Sequence, residues 1–195
     1  RILITGGGTG LGKSMAARFL ELGAEVAICG RREEILKAAA AELAVKAPGR
    51  IAWRKLDIRE PEAVEAVIES LWRAGPLDAL VNNAAGNILS RTEDLSHRAL
   101  DAVIGTVLHG AVYMTLACGK RWIGEGRAGN VLSIVTTYAW TGSAYVVPSA
   151  MAKAGMLAMT QSLAVEWGPK NIRLNAIAPG PFPTEGAWQR LVPRK

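Results

Sequence analysis

The sequence predicts an α/β protein in three layers, a doubly wound parallel sheet covered by helices on both faces and folded as a single domain. Two observations carry this. Short apolar, β-branched runs alternate with helical patterns, the order expected of βαβ units. Those runs are also near-continuously hydrophobic, as strands buried on both faces must be. With right-handed crossovers the result is a doubly wound sheet, whose ligand crevice opens beyond the carboxyl ends of the strands.

The elements follow in order. Residues 2–5, Ile-Leu-Ile-Thr, read as a strand that runs straight into glycines, and residues 12–22 as the helix after them. A second strand over 25–29 leads to a helix over 33–46, and a third over 51–56 to a helix over 61–72. The fourth strand, 79–82, is followed by a long helical stretch over 97–123. A fifth strand over 130–135, a helix over 149–167 and a sixth strand over 172–176 complete the pattern. No repeat, linker or low-complexity tract divides residues 1–195, which read as one domain.

Composition narrows the class. Half the residues are hydrophobic and 21% are charged, an ordinary globular balance. No apolar run approaches the ~18 residues of a membrane span, so no membrane insertion is expected. The chain opens on a strand without Met or secretory segment and stops abruptly at Leu191-Val-Pro-Arg-Lys195, so incomplete ends are expected and cytoplasmic residence is the default. Cys29 and Cys118 sit in apolar runs and read as small buried hydrophobes. With only His97 and His109 beside them, no metal-ligand spacing is present. The net charge of +6 comes from Lys and Arg scattered among acids, which suits anionic cofactors and substrates better than nucleic acid.

After the first strand stands Thr5-Gly6-Gly7-Gly8-Thr9-Gly10-Leu11-Gly12-Lys13. Glycines there let the backbone approach a pyrophosphate while the next helix presents free N–H groups and its positive dipole end. The spacing is T-G-x-x-x-G-x-G; it matches neither G-x-G-x-x-G nor a P-loop. The strand before and helix after make this a Rossmann-type cofactor turn. The second strand ends Cys29-Gly30-Arg31-Arg32, with no acid to grip a ribose 2′-hydroxyl. Arginine accommodates a 2′-phosphate, so NADPH is the expected cofactor, held by Arg31, with Lys13 adding charge and Arg32 in solvent.

That glycine pattern resembles the short-chain dehydrogenases/reductases, and three further segments strengthen the resemblance: Leu56-Asp57, Asn82-Asn83-Ala84-Ala85-Gly86-Asn87 and Asn175-Ala-Ile-Ala-Pro179-Gly180-Pro181. The family's usual Tyr-x-x-x-Lys is altered: Ser149 stands where the tyrosine should precede Lys153, and Thr136 takes the usual serine position. This departure resembles the mitochondrial-type 2,4-dienoyl-CoA reductases, as do Thr137-Tyr138-Ala139, Ala164-Val-Glu-Trp-Gly168 and Gly186-Ala-Trp-Gln-Arg190-Leu. In those enzymes the tyrosine lies upstream.

The resemblance implies the following assignments. Tyr138 and Asn87 would hydrogen-bond the thioester oxygen of an acyl-CoA substrate as negative charge builds there. Ser149, one helical turn before Lys153, would share its face. Lys153 would hold the nicotinamide ribose, and Thr136 would support the tyrosine or the cofactor. Gly6, Gly8, Thr9, Gly10, Leu11, Gly12, Arg31, Asp57, Asn83, Gly86, Pro179, Gly180, Pro181 and Phe182 would line the cofactor. Arg59, Ile88, Ser96 and Arg190 would grip substrate, together with Arg31. A homotetramer built on the two long helices is likewise implied.

Two other tyrosine and histidine positions need a reading. Tyr145, at a helix entrance, is expected to pack. His109 stands where the family usually carries an asparagine that relays protons, or is a satisfied buried histidine; His97 begins a helix in solvent. Met151, Met156 and Met159 read as core or subunit contacts. Two alternatives to the dienoyl reading stay open: a generic reductase of 3-oxoacyl thioesters or other carbonyls, and a cofactor sensor without turnover.

Overall fold

A computed structural model describes residues 1–180. Its centre is a parallel six-stranded sheet made of β1 (Ile2–Thr5), β2 (Val26–Gly30), β3 (Ile51–Lys55), β4 (Ala79–Asn82), β5 (Gly129–Ile134) and β6 (Ile172–Ile177). The strand order is β3-β2-β1-β4-β5-β6. Ile2 is paired with Val26 on one side and with Ala79 on the other. The chain winds outward from β1 to β3 and returns to build the second half from β4. The carboxyl ends of β1 and β4 therefore flank the switch point, where ligands of such sheets bind.

Side chains alternate across the strands and so serve two helical layers. Ile4, Ile28, Val81 and Ile134 face one layer, where they meet Ala16 and Leu20 of α1 (Gly10–Glu21) and Leu36, Ala39 and Leu43 of α2 (Glu33–Lys46). Leu3, Ala27, Leu80 and Val131 face the other. There they pack on Val64, Ile68 and Leu71 of α3 (Pro61–Arg73). The spacing of those three is the i, i+4, i+7 of an amphipathic face, and Pro61 at the first turn starts the helix without costing a hydrogen bond.

The long helix begins as α4 (His97–Ile104), widens into a π-helical stretch over Gly105–His109 and continues as α5 (Gly110–Gly124). Met114, Ala117, Cys118 and Trp122 of α5 enter the core, and Trp122 Nε1 donates to Leu77 O at 2.6 Å. By length and composition this 28-residue helix could cross a membrane, contrary to the reading that no run is apolar enough. Half of its most apolar window is buried against the sheet, which accounts for the composition. Two further helices are α6 (Tyr138–Thr141), which the sequence pattern did not reveal, and α7 (Val147–Trp167). Predicted boundaries elsewhere move by one or two residues.

Cys29 and Cys118 are both free and fully enclosed in the core around Leu3 and Met114. Burial pushes each thiol up to about 12, so neither is a nucleophile at neutral pH.

Candidate active site

The glycine loop is fixed by its neighbours before any ligand is considered. Gly6 adopts φ +66, a conformation side chains rarely tolerate. A Cβ on Gly12 would lie 2.4 Å from Gly6 O and 2.5 Å from Asn83 Nδ2, so α1 can seat against the loop only with glycine there. Thr5, 1% exposed, ties the loop to the segment after β4. Its Oγ1 accepts from Asn83 N at 3.0 Å and Ala84 N at 2.9 Å and donates to Val81 O at 3.3 Å. Asn83 Nδ2 in turn donates to Thr5 O at 2.9 Å and Gly6 O at 3.3 Å. Asn83, which the sequence reading placed on the cofactor, also braces the loop through its amide hydrogens. Thr5 itself was overlooked, although its position before the first glycine was the available signal.

This cradle fits a dinucleotide. The first turn of α1 has no side-chain cap and no acidic residue, so its N–H groups and dipole are free for an anion. Thr9 and Gly10 are exposed at that turn, with Gly8 and Leu11 half-buried beside them. Arg31 follows β2, is exposed, and has no carboxylate partner among the described residues. Lys13, expected to add charge, is instead engaged by Glu42 of α2.

At the end of β3, Asp57 and Arg59 hold each other. Arg59 Nε lies 3.0 and 3.1 Å from the two carboxylate oxygens, Nη2 donates at 2.5 Å, and the backbone N of Arg59 donates to Oδ1 at 3.1 Å. Hydrogen bonds from Arg59 outweigh desolvation and hold the Asp57 carboxyl below its usual range, with Arg31 adding a smaller share. Arg59 is therefore committed to Asp57. Ser96, another expected substrate contact, caps α4 by accepting from Ala99 N at 3.2 Å. Ile88 is half-buried against Val103, Val107, Ala152 and Met156.

The centre lies at the carboxyl end of β5. Lys153 Nζ donates to Ile134 O, the last residue of that strand, while its side chain is 5% exposed. Desolvation lowers its ammonium from the usual 10.5 to about 8, with no carboxylate nearby to oppose the effect. One turn earlier on α7, Ser149 is 3% exposed and lies 3.0 Å from the Tyr138 hydroxyl. The short helix α6 makes this possible. It begins as Thr136 O accepts from Ala139 N at 3.1 Å and turns the half-buried tyrosine back toward α7.

Asn87 stands on the loop after β4, and its Oδ1 is buried without a partner. Fold packing thus leaves this amide unspent, as expected of a group kept for a ligand. That loop is tied to the entrance of α7 by Ser90 N, which donates to Tyr145 O at 3.2 Å. Gly86 has open space where a Cβ would be, and Pro179 and Gly180 follow β6. Pro181, Phe182 and Arg190 lie outside the described residues.

Two sequence expectations fail. His109 is exposed, its ring 6.2 Å from that of Tyr113; the residue this turn buries beside Ala152 and Met156 is Val107. A buried histidine is thereby excluded. Tyr145 does not pack at the helix entrance but is 56% exposed at φ +66. Of the methionines, Met156 is fully buried, Met159 packs beside it and Met151 is exposed.

The family model described as short chain dehydrogenase matches residues 1–192. Among curated proteins, the chain is 47% identical over 193 residues to a Caenorhabditis elegans protein named uncharacterized oxidoreductase, covering 97% of this chain and 61% of that protein. It is 44% identical to the C. elegans protein named probable 2,4-dienoyl-CoA reductase 3, (3E)-enoyl-CoA-producing, covering 97% of this chain and 62% of that protein. It is 43% identical to a Bacillus subtilis protein named probable 2,4-dienoyl-CoA reductase, (2E)-enoyl-CoA-producing, covering 97% and 75%. The chain thus spans about three fifths of the length of the two worm relatives. A solved short chain dehydrogenase of Bacillus anthracis aligns with TM-score 0.89 at 47% identity, over 93% of this chain and 76% of that one. ElxO, solved with NADP bound, aligns with TM-score 0.91 at 27% identity, over 97% and 77%. A glycine cradle at the switch point, a buried lysine one turn from Ser149 and a match along nearly the whole chain agree: it belongs to the short-chain dehydrogenase family.

Proposed function

We propose that this chain reduces 2,4-dienoyl-CoA thioesters with NADPH. The observation that carries the proposal is the 3.0 Å contact between Tyr138 and Ser149 above a buried Lys153. It supplies a hydroxyl donor from α6 in a family whose donor usually stands at the position Ser149 occupies. The names of the relatives from C. elegans and B. subtilis point to the same substrate class. Arg31 without an acidic neighbour in its loop favours the 2′-phosphorylated cofactor.

Bound in the cradle, NADPH would supply the hydride. The chain's own residues do the rest. As electron density moves from the diene to the thioester oxygen, that oxygen needs donors already in place. Tyr138 donates its hydroxyl hydrogen, and Ser149 holds the phenol in position by donating to its oxygen. Asn87 Nδ2, on the amide whose Oδ1 is buried without a partner, is the second donor. Lys153 keeps the local potential positive from a water-poor site, where a charge acts more strongly than in solvent. With hydride at C5, a proton from water at C2 leaves the 3-enoyl thioester, whereas a proton at C4 leaves the 2-enoyl thioester. We take the 3-enoyl product, as in the name of the C. elegans relative, over the 2-enoyl product in that of the B. subtilis relative.

The test is NADPH oxidation with 2,4-hexadienoyl-CoA beside acetoacetyl-CoA, on wild type and Tyr138→Phe. Turnover of the dienoyl thioester, cut about a hundredfold by the substitution with NADPH affinity retained, is the expected result. Turnover of acetoacetyl-CoA alone would replace this reading with a ketoreductase.

A further inference from the structure

Three large apolar side chains stand exposed on the segments that carry the candidate donors. Trp140, on α6 two residues after Tyr138, is 59% exposed. Tyr145, four residues before Ser149, is 56% exposed, and Leu89, two residues after Asn87, is 38% exposed. Each therefore sits within about one helical turn, in sequence, of Tyr138, of Asn87 or of the Ser149 that holds Tyr138. The two loops are not independent, because Ser90 N donates to Tyr145 O and fixes Leu89's loop against Tyr145's.

Tyr145 adds a second line of argument. Among the described residues only Tyr145 and Asn171 of the non-glycine residues have positive φ. Asn171 ends a helical turn, where asparagine is well tolerated. A bulky aromatic at φ +66 is a backbone outlier, and its side chain gains no burial in return. Strain without packing gain collects at sites where a ligand, not the fold, makes use of the side chain.

We infer that Trp140, Tyr145 and Leu89 form an apolar lip that takes the acyl tail of the substrate beyond the diene and sets chain-length preference. The inference rests on the dienoyl-CoA reading above. An acyl chain suits the lip because it needs no hydrogen bonds, and aromatic side chains give it wide contact area at small entropic cost. A six-carbon dienoyl chain ends at the reacting carbons and barely reaches past them. A ten-carbon chain carries four more methylenes, each gaining from removal from water.

The experiment compares kcat/KM for 2,4-hexadienoyl-CoA and 2,4-decadienoyl-CoA in wild type, Trp140→Ala and Tyr145→Gly, using the full protein. The glycine variant relieves the positive φ, so loss of folding does not confuse its result. The expected outcome is that wild type prefers the longer substrate and that each variant lowers the decadienoyl-to-hexadienoyl ratio about tenfold, through KM more than kcat. A ratio unchanged within about twofold in both variants overturns the lip while leaving the dienoyl reading intact. A wild type that turns over neither thioester overturns both. Restoration of the ratio by Trp140→Phe would separate contact with the chain from a structural role of the indole.

Discussion

Replacing Lys153 by Met should make the protein more stable and inactive, and the stability gain should fade at high pH. The lysine's fall from 10.5 to about 8 corresponds to about 3 kcal/mol of cost for holding its charge in the core at pH 7. Methionine fills similar space without charge but loses the hydrogen bond to Ile134 O, about 1 kcal/mol. The variant should therefore gain about 2 kcal/mol at pH 7. Between about 8 and 10.5 the unfolded chain binds the proton that the folded chain has released. Wild-type stability from this group therefore rises with pH across that window. By pH 10 the burial cost is below about 1 kcal/mol, and the two proteins should be nearly equal. Urea unfolding of both at pH 7 and pH 10 measures this directly, since other titrations cancel in the difference. A gap that does not change with pH, or a variant less stable at pH 7, would refute burial as the cause of the shift. Wild-type kcat/KM should also fall as pH rises past about 8, when the ammonium discharges.

Further outcomes follow from the cradle. Gly12→Ala forces a methyl to within 2.4 Å of Gly6 O, so it should cost about 1–3 kcal/mol in urea unfolding. Gly124→Ala, with no atom within 4 Å of the new methyl, should leave stability unchanged or slightly raised. Equal effects of the two would show that the close approach does not matter. Arg31→Ala should weaken NADPH about tenfold in a fluorescence titration and leave NADH affinity unchanged. Parallel losses for both cofactors would remove the 2′-phosphate from the argument.

The sheet was legible because burial on both faces leaves a signature that local pattern can carry: every strand and each of the five long helices was visible as an apolar run or a periodic one. Residues whose roles depend on packing partners were not. The bonds from Asn83 to Thr5 and Gly6 that brace the loop had no signal in the sequence. Nor did the cap that Ser96 makes for α4 by accepting from Ala99 N. The helix α6 has four residues, too few to show any period, yet it sets where Tyr138 points. Tyr145 was expected inside because aromatics at helix entrances usually bury, and its positive φ has no sequence signal.

The π-helical stretch over Gly105–His109 acts as a phase shift written into the longest helix. A wide turn of this kind amounts to one residue more than an α-helical turn would hold. Side chains before it, such as Val103, and after it, such as Met114 and Trp122, thus keep their separate appointments with the core although no single helical wheel fits both. Tightening the stretch to α-helical pitch without removing a residue would swing everything downstream by about 100°. Trp122 would leave Leu77, and the polar flank carrying Lys120 would turn inward. The surplus residue is thus absorbed locally: deleting one from the stretch would leave a regular helix with both flanks still facing the core.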